Sequence, residues 1–419
     1  MKNRNRSLWI LLGIPFIFAL ANCSPSLAEA VEDTAISSSS AVKIELNSHT
    51  AREFYNRGSN FLDKCNYQQA LAAYEKAIEI DAEHYLAWWG KGYALQKLNR
   101  YAEASAAYEE AIKIDSSNPK LWYAKGYSLE RSKQYTEAIA SYDEAIKIDP
   151  DYANAWYKRG YSFERLKQYS EALTSYDRAI EVDPDDGDFW YRRGNALVML
   201  SRYTDAIISY QQAVALNPQD FDAWNRQGIL LSGLKKYAAA INSYKQAIKI
   251  DPNDASVWQN LGEILYERQR YAEAIAAFSK AINIDSDDTD LWIARGDTFY
   301  YLKEYNRAIA DYDRAIDMGF SDAYIWIYRG NALGKLKQYT ESLNSYDRAI
   351  EIEPDNAFAW FNRGLVLTTL GQYDEAISSY DRGLEIDPDD SQAWRLRERL
   401  LQLKHQKYER SIISMAGGI

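Results

Sequence analysis

Residues 153–186 read ANAWYKRGYSFERLKQYSEALTSYDRAIEVDPDD, and residues 187–220 read GDFWYRRGNALVMLSRYTDAIISYQQAVALNPQD. Laid one over the other, Trp156 falls on Trp190, Gly160 on Gly194, Tyr169 on Tyr203, Ala172 on Ala206 and Tyr176 on Tyr210. The same 34-residue step continues in both directions. It passes through Gly58, Gly92, Gly126, Gly160, Gly194, Gly228, Gly262, Gly296, Gly330 and Gly364 without an insertion or deletion. A fixed period of this size marks stacked supersecondary units that share one continuous core.

The unit is taken to start at Ala51, so that its eighth residue is the glycine. Its fourth residue is Phe54 in the first copy and Trp in the nine that follow. The seventeenth is always Tyr, from Tyr67 to Tyr373, and the twenty-fourth is Tyr except for Phe278. The twenty-seventh is Ala except for Gly383. These spacings predict two amphipathic helices per unit. Trp156, Gly160 and Phe163 share one helical face; Tyr169, Ala172, Tyr176, Ala179 and Ile180 form the matching stripe of a second helix. The small Gly160 and Ala172 allow the two backbones to approach. Proline near the unit's end, as in Asp149-Pro150, Asp183-Pro184 and Asp387-Pro388, stops the second helix. Thr50 with Glu53 reads as a capping box that starts the first helix at Ala51.

A charge pattern runs through the copies. The twenty-fifth residue is acidic in seven units, and a base follows one unit later, at the place just before the glycine. The pairs are Glu75–Lys91, Glu109–Lys125, Asp143–Arg159, Asp177–Arg193, Asp313–Arg329, Asp347–Arg363 and Asp381–Arg397. In Gln211–Gln227 and Lys245–Leu261 both charges are missing; Ser279–Arg295 is the exception. The pattern predicts an inter-repeat ion-pair ladder. Pairing inside each unit fits nearly as well but leaves Arg397 alone. Exposed pairs add only ~0–1 kcal/mol each, so such a ladder fixes register more than stability.

The Trp-x3-Gly, Ala-x3-Tyr-x2-Ala and terminal-Pro placements resemble the tetratricopeptide repeat family, with ten copies over residues 51–390. The resemblance implies an all-α, right-handed superhelical solenoid of antiparallel helix pairs, with a concave groove lined by the first helices. One departure is the residue before the glycine, usually Leu in the family and mostly Arg or Lys here. Residues 391–410 begin like an eleventh unit at Trp394, but Glu398 replaces the glycine. A polar capping helix is expected there, with residues 411–419 as a short tail.

In the family, ligands touch the second, fifth, sixth, ninth, twelfth and thirteenth residues of the first helices. Carried over, these positions predict a partner-binding strip in the N-terminal half. It comprises Trp89, Tyr93, Lys97, Lys120, Tyr123, Tyr127, Arg131, Tyr157, Lys158, Tyr161, Arg165, Tyr191 and Arg192. Tyr and Arg are enriched at interface hot spots. The fifth-position aromatics Tyr55, Trp89, Tyr123, Tyr157 and Tyr191 also suit helix-to-helix stacking. Further along, Glu263, Glu267, Asp290 and Asp297 make the same positions acidic, and Phe358, Phe361 and Leu365 make the last unit apolar. Family members that clamp a peptide carboxylate use a Lys where Trp89, Tyr123 and Tyr157 stand here.

The N-terminus reads as an export signal. Lys2, Arg4 and Arg6 precede an uncharged run from Leu8 to Ala21, which is shorter than a membrane span of ~20 residues. Ala28-Glu29-Ala30 fits cleavage after Ala30, giving a signal peptide over residues 1–30. Leu20-Ala21-Asn22-Cys23 resembles a lipobox, which would make Cys23 a lipidated N-terminus attached to a membrane. Both place the repeats outside the cytoplasm. Residues 31–50, with Ser37 to Ser40 in a row, read as a tether.

The net charge of −11 and sequence pI of about 5.1 argue against nucleic acid as a partner. Two cysteines, Cys23 and Cys65, exclude a disulfide framework, and the three histidines are scattered. No phosphate loop, nucleophile elbow or zinc signature is present. In the stretch from Asp183 to Asp188 the glycine is one place early for a calcium loop, and no Glu follows at the required distance. Those acids read as helix caps. The expectation is a non-enzymatic scaffold without cofactor, metal or catalytic residue, binding an extended protein segment. An aromatic ladder for cell-wall glycan is the alternative.

Overall fold

The computed structural model describes residues 40–416, with side chains from 49 to 406. Residues 1–39, which hold the expected signal peptide, Cys23 and most of the expected tether, lie outside the described residues, as do 417–419. Every element among the described residues is a helix. They form two compact units that divide between Ser117 and Asn118.

The first unit holds α1 (Ser40–Asp63), α2 (Tyr67–Ile80), α3 (Tyr85–Lys97) and α4 (Tyr101–Ile114). The second holds eight helix pairs. They are α5 (Pro119–Arg131) with α6 (Tyr135–Ile148), α7 (Ala153–Arg165) with α8 (Tyr169–Val182), α9 (Gly187–Met199) with α10 (Tyr203–Leu216), and α11 (Phe221–Gly233) with α12 (Tyr237–Ile250). Then come α13 (Ala255–Glu267) with α14 (Tyr271–Ile284), α15 (Thr289–Tyr301) with α16 (Tyr305–Asp317), α17 (Ala323–Lys335) with α18 (Tyr339–Ile352), and α19 (Ala357–Thr369) with α20 (Tyr373–Ile386). A long helix, α21 (Ser391–Ala416), closes the stack. Within the second unit, first helices of successive pairs also touch one another, as α5 does α7 and α15 does α17.

Both ends differ from expectation. Helix α1 begins at Ser40, so Thr50 lies inside it and does not cap it, and residues 40–50 are helical rather than tether. No Pro or Gly separates Ser40 from Ala51, and His49 lies 3.7 Å from Glu53 one turn on. At the other end α21 runs past residue 410 to Ala416.

The recurring glycine has a specific cause. A Cβ added at Gly160 would stand 2.8 Å from the Tyr176 ring, and one at Gly262 would stand 2.6 Å from Phe278. The twenty-fourth-position ring therefore lies flat on the eighth-position backbone. Gly383 obeys the same logic in reverse: its missing Cβ leaves room for the Phe361 ring.

Turns within each pair use a left-handed residue. Cys65, Asn99, Lys133, Lys167, Ser201, Lys235, Gln269, Lys303 and Lys337 have φ between 57° and 64°, and Gly371 has φ 76°. The next residue donates its N–H five residues back, as Asn66 does to Phe61 at 2.8 Å and Gln168 to Phe163 at 2.9 Å. Exposed Cys65 occupies this turn. Turns between pairs are held by the tryptophans. The indoles of Trp156, Trp190, Trp258 and Trp360 each donate at 2.9 Å to the carbonyl of Pro150, Pro184, Pro252 or Pro354. Asp186 caps α9 by accepting the Asp188 N–H at 2.9 Å, and Asp183 accepts the Asp185 N–H at 3.2 Å.

The ion-pair ladder is present, and each arginine does more than cross to the preceding repeat. Arg159 donates to Asp143 on α6 at 2.6 Å and to Ser175 on α8 at 2.8 Å. Arg193, Arg329 and Arg363 repeat the arrangement with Asp177 and Ser209, Asp313 and Ser345, and Asp347 and Ser379. Lys91 reaches Glu75 at 3.1 Å, and Arg397 pairs with Asp381. One guanidinium thus ties a first helix to the second helices on both sides. The exception resolves as an exchange: Arg295 donates to Asp311 on α16 at 2.8 Å and to Ser279 on α14 at 3.1 Å. Acid and serine have traded places around the same base.

Two outcomes test this frame. Gly160→Ala is expected to cost about 1–3 kcal/mol through overpacking against Tyr176, read by chemical denaturation. Asp311→Ser leaves the largely buried Arg295 without its carboxylate and is expected to cost about 3 kcal/mol. Adding Ser279→Asp should restore most of that loss, because it rebuilds the geometry of the other repeats.

Candidate functional site

The expected strip falls on first helices. In the first unit, Trp89 and Tyr93 are half-buried on α3, and the Lys97 ammonium stands 5.2 Å from the Tyr93 ring centre. The remaining residues lie in the second unit. Lys120, Arg131 and Arg165 are exposed; Tyr127, Tyr157, Tyr161 and Tyr191 are half-buried.

The structure separates two sets of tyrosines. Those at the fifth position belong to helix stacking. Tyr123 is only 9% exposed, with ring centres of Tyr142 and Tyr152 at 5.8 and 5.1 Å. Tyr157 stacks on Phe189 at 5.0 Å and leans on Tyr176 at 6.0 Å; Tyr191 leans on Tyr210 at 6.0 Å. Tyr123 is therefore a core residue and not a groove contact, because the start of the next repeat covers its outer face.

The ninth-position tyrosines behave otherwise. Together with the cations and Tyr191, a fifth-position ring that stacks and also meets cations, they form an interleaved row across α5, α7, α9 and α11. Lys158 lies 5.3 Å from the Tyr127 ring centre and 5.4 Å from that of Tyr161. Arg192 follows at 5.2 Å from Tyr161 and 6.0 Å from Tyr191. Arg226 ends the row, 5.9 Å from the Tyr191 ring and donating to its hydroxyl at 3.0 Å. Arg165 donates to the Tyr135 hydroxyl at 3.3 Å.

Two of these cations are already neutralised within the fold. Lys158 pairs with Glu130 at 3.3 Å, and Arg192 pairs with Glu164 at 3.2 Å. The same carboxylates accept the hydroxyls of Tyr142 at 3.1 Å and Tyr176 at 2.7 Å. Burial pushes the Glu130 carboxyl above the ordinary range, and Lys158 and Tyr142 pull it back. Lys158 and Arg192 are thus structural as well as groove-facing. Arg165 and Arg226 are the more exposed members of the set.

Sequence reading missed a second assembly in repeats seven to nine. Ring centres of Tyr266, Tyr271 and Tyr301 lie 5.6–5.9 Å apart. Tyr300 joins them through Tyr301 and continues to Tyr305 and Tyr328, and Tyr328 lies 4.2 Å from Tyr324. Tyr324 and Tyr312 both donate to Asp297 at 2.7 Å. The signal was available: Tyr266, Tyr300, Tyr301, Tyr324 and Tyr328 occupy second, sixth, twelfth and thirteenth positions. Attention to the fifth and ninth positions passed over them. At the last pair, Phe358 is 74% exposed and Leu365 is also exposed, whereas Phe361 packs on Gly383.

Among the described residues there is no group of His, Cys, Asp and Glu placed to hold a metal ion, and no helix is long and apolar enough to cross a membrane.

Comparison with known proteins bears on the repeat directly. Among solved structures, YrrB, described as a TPR protein with an unusual peptide-binding site, is 26% identical, covering 44% of this chain and 94% of its own at a TM-score of 0.41. MamA is 24% identical, covering 38% and 94% at 0.37. A tetratricopeptide repeat protein from Parabacteroides merdae is 17% identical, covering 59% and 98% at 0.40. No curated protein matches the chain. Family models described as tetratricopeptide repeat match residues 55–119, 107–140, 157–221, 209–242, 231–297, 289–318 and 357–390. One described as TPR repeat matches 131–167 and 330–371. Together these matches run unbroken from residue 55 to 318 and from 330 to 390, over the same helix pairs that the glycine–tyrosine contact builds, and the chain belongs to the tetratricopeptide repeat family.

Proposed function

We propose that the protein is a non-enzymatic scaffold for protein–protein interaction, exported from the cytoplasm, that binds an extended segment of a partner along its first helices. One observation carries the reading. The packing positions hold nearly the same residues in every repeat, while the row Tyr127, Lys158, Tyr161, Arg192, Tyr191 and Arg226 is particular to repeats three to six. Half-buried rings with polar edges and ordered cations suit an acidic or aromatic segment. The glycan alternative is less favoured, since cations lie over the faces of Tyr127, Tyr161 and Tyr191 on which a sugar ring would stack. Export rests on Lys2, Arg4, Arg6 and the uncharged run from Leu8 to Ala21.

Tyr161→Ala combined with Arg226→Ala is expected to weaken capture of a partner from envelope extracts by about tenfold or more, since hot-spot truncations cost ~2 kcal/mol each. Helix content by circular dichroism should be unchanged. Unaltered capture would remove the groove from repeats three to six, and retention on purified cell-wall glycan instead of protein would favour the alternative. Mass spectrometry of the mature N-terminus should find either a lipid on Cys23 or a chain starting after Ala30; an intact Met1 on protein recovered from the cytoplasmic fraction would overturn export.

A further inference from the structure

Repeats three to five neutralise their groove-side carboxylates internally, as Glu130 with Lys158 and Glu164 with Arg192 show. In repeats eight and nine the residues equivalent to Lys158 and Arg192 are Ala294 and Tyr328. Asp297 on α15 is half-buried among tyrosines and accepts two phenol hydroxyls at 2.7 Å. Its charge reaches the surrounding rings: after burial, it is among the causes that push the Tyr266 and Tyr328 phenols up. Nearby cations are engaged elsewhere. Arg268 lies over Tyr237, Arg295 is held by Asp311, and Arg307 lies over Phe299 and pairs with Glu304.

The Tyr312 hydrogen bond at Asp297 does not require a carboxylate. At the same repeat position, Asn195 accepts the Tyr210 hydroxyl and Asn331 the Tyr346 hydroxyl, each at 2.7 Å. An amide performs the structural task without a buried charge. Burial raises the Asp297 carboxyl above its ordinary value, and the Tyr324 and Tyr312 hydroxyls offset this only in part. The ionised form therefore works against the fold at neutral pH. Around it, Tyr301 and Tyr324 are 48% and 38% exposed. Glu263, Glu267 and Asp290 stand exposed on α13 and α15. The face combines open aromatic rings, surplus negative charge and a carboxylate where other repeats carry an amide.

We propose that α13, α15 and α17 carry a site for an arginine-bearing segment of a partner protein, the guanidinium resting on the Tyr301 ring with Asp297, one turn earlier on α15, as its counter-charge. A planar cation suits both parts, stacking on aromatic faces and offering several donors to one carboxylate. The inference rests on the scaffold reading above but concerns other repeats and the opposite charge.

The test titrates the full-length protein into a fluorescein-labelled Ser/Gly peptide carrying arginines, at about 150 mM salt so that diffuse attraction is screened. The same peptide with glutamates in place of arginines is the comparison. Expected is binding of the arginine peptide alone, weakened about tenfold or more by Tyr301→Ala with Asp297→Asn. Asp183→Asn with Asp185→Asn, which removes as many charges or more outside the site, should change affinity less than about twofold. Equal binding of the glutamate peptide, an unchanged affinity in the site variant, or displacement by neutral cell-wall oligosaccharide would overturn the site. Tyr161→Ala with Arg226→Ala should leave arginine-peptide binding intact, so failure here is distinguishable from failure of the scaffold reading.

A stability measurement supplies an independent arm. A carboxyl whose folded pKa is raised loses stability as pH rises through that value, and asparagine has no such loss. Asp297→Asn is therefore expected to hold or raise Tm at pH 7, the difference closing as pH falls below the ordinary aspartate value of ~3.9. A lower Tm at pH 7 would make the charge structural and overturn the proposal.

Discussion

The contact on which everything else depends is a tyrosine ring lying on a glycine backbone. In each pair it sets how closely the second helix approaches the first, since no Cβ fits between them. It also points the phenol hydroxyl toward the first-helix face. That hydroxyl meets Ser59, Glu130, Glu164, Asn195, Asp297 or Asn331, according to the repeat. A buried core residue thus presents its one polar atom to the variable surface, and the choice of acceptor determines the local charge there. Where Phe278 replaces the tyrosine, no hydroxyl needs an acceptor, and Glu263 at the equivalent position meets Gln259 on its own helix instead. The hydroxyl of Tyr108 is buried without a partner among the described residues, so packing of the ring outweighs satisfaction of the oxygen at that site.

Across the second unit, the first-helix face changes its electrostatic character while its scaffold stays constant. Repeats three to six alternate rings with cations, two of them held by internal glutamates. Repeats seven to nine present rings with carboxylates. Complementary charge contributes orientation and specificity more than raw affinity. A face with opposite signs along its length distinguishes the two directions in which an extended segment could lie.

Much of this was legible in the sequence. The period, the helix pairs and the boundaries at most turns follow from spacing alone, and the ladder partners from spacing together with Arg397, which pairing inside each unit would leave alone. Spacing reports backbone geometry, and the geometry is the same in every copy. Less was legible where one residue has two available tasks. Tyr123 and Tyr161 are the same residue type on the same kind of helix, yet one is enclosed by Tyr152 and the other lies beside cations. They differ in repeat position, fifth against ninth, and what each position faces is set by the neighbouring repeat's side chains. The helix ends were misjudged for a related reason. Thr50 and Glu53 form a competent capping pair, but a cap acts only where the chain stops being helical, and nothing upstream stops it. The tyrosine assembly around Asp297 draws residues from six positions in three repeats, and no single column of the repeats displays it.

The arginine clip also defines what counts as one module. A repeat excised between its turns carries its arginine but leaves the matching acid on the repeat before it, as Arg193 would leave Asp177. Most copies are therefore interlocked tenons rather than free-standing bricks, and shuffling them preserves the joint only when each acid is followed by a base. Repeat eight differs, because Arg295 and Asp311 travel together. It could be inserted after a neighbour lacking the acid, as it is here behind Ser279. The exchange of two side chains marks a seam at which the array could have been cut and joined without loss of register.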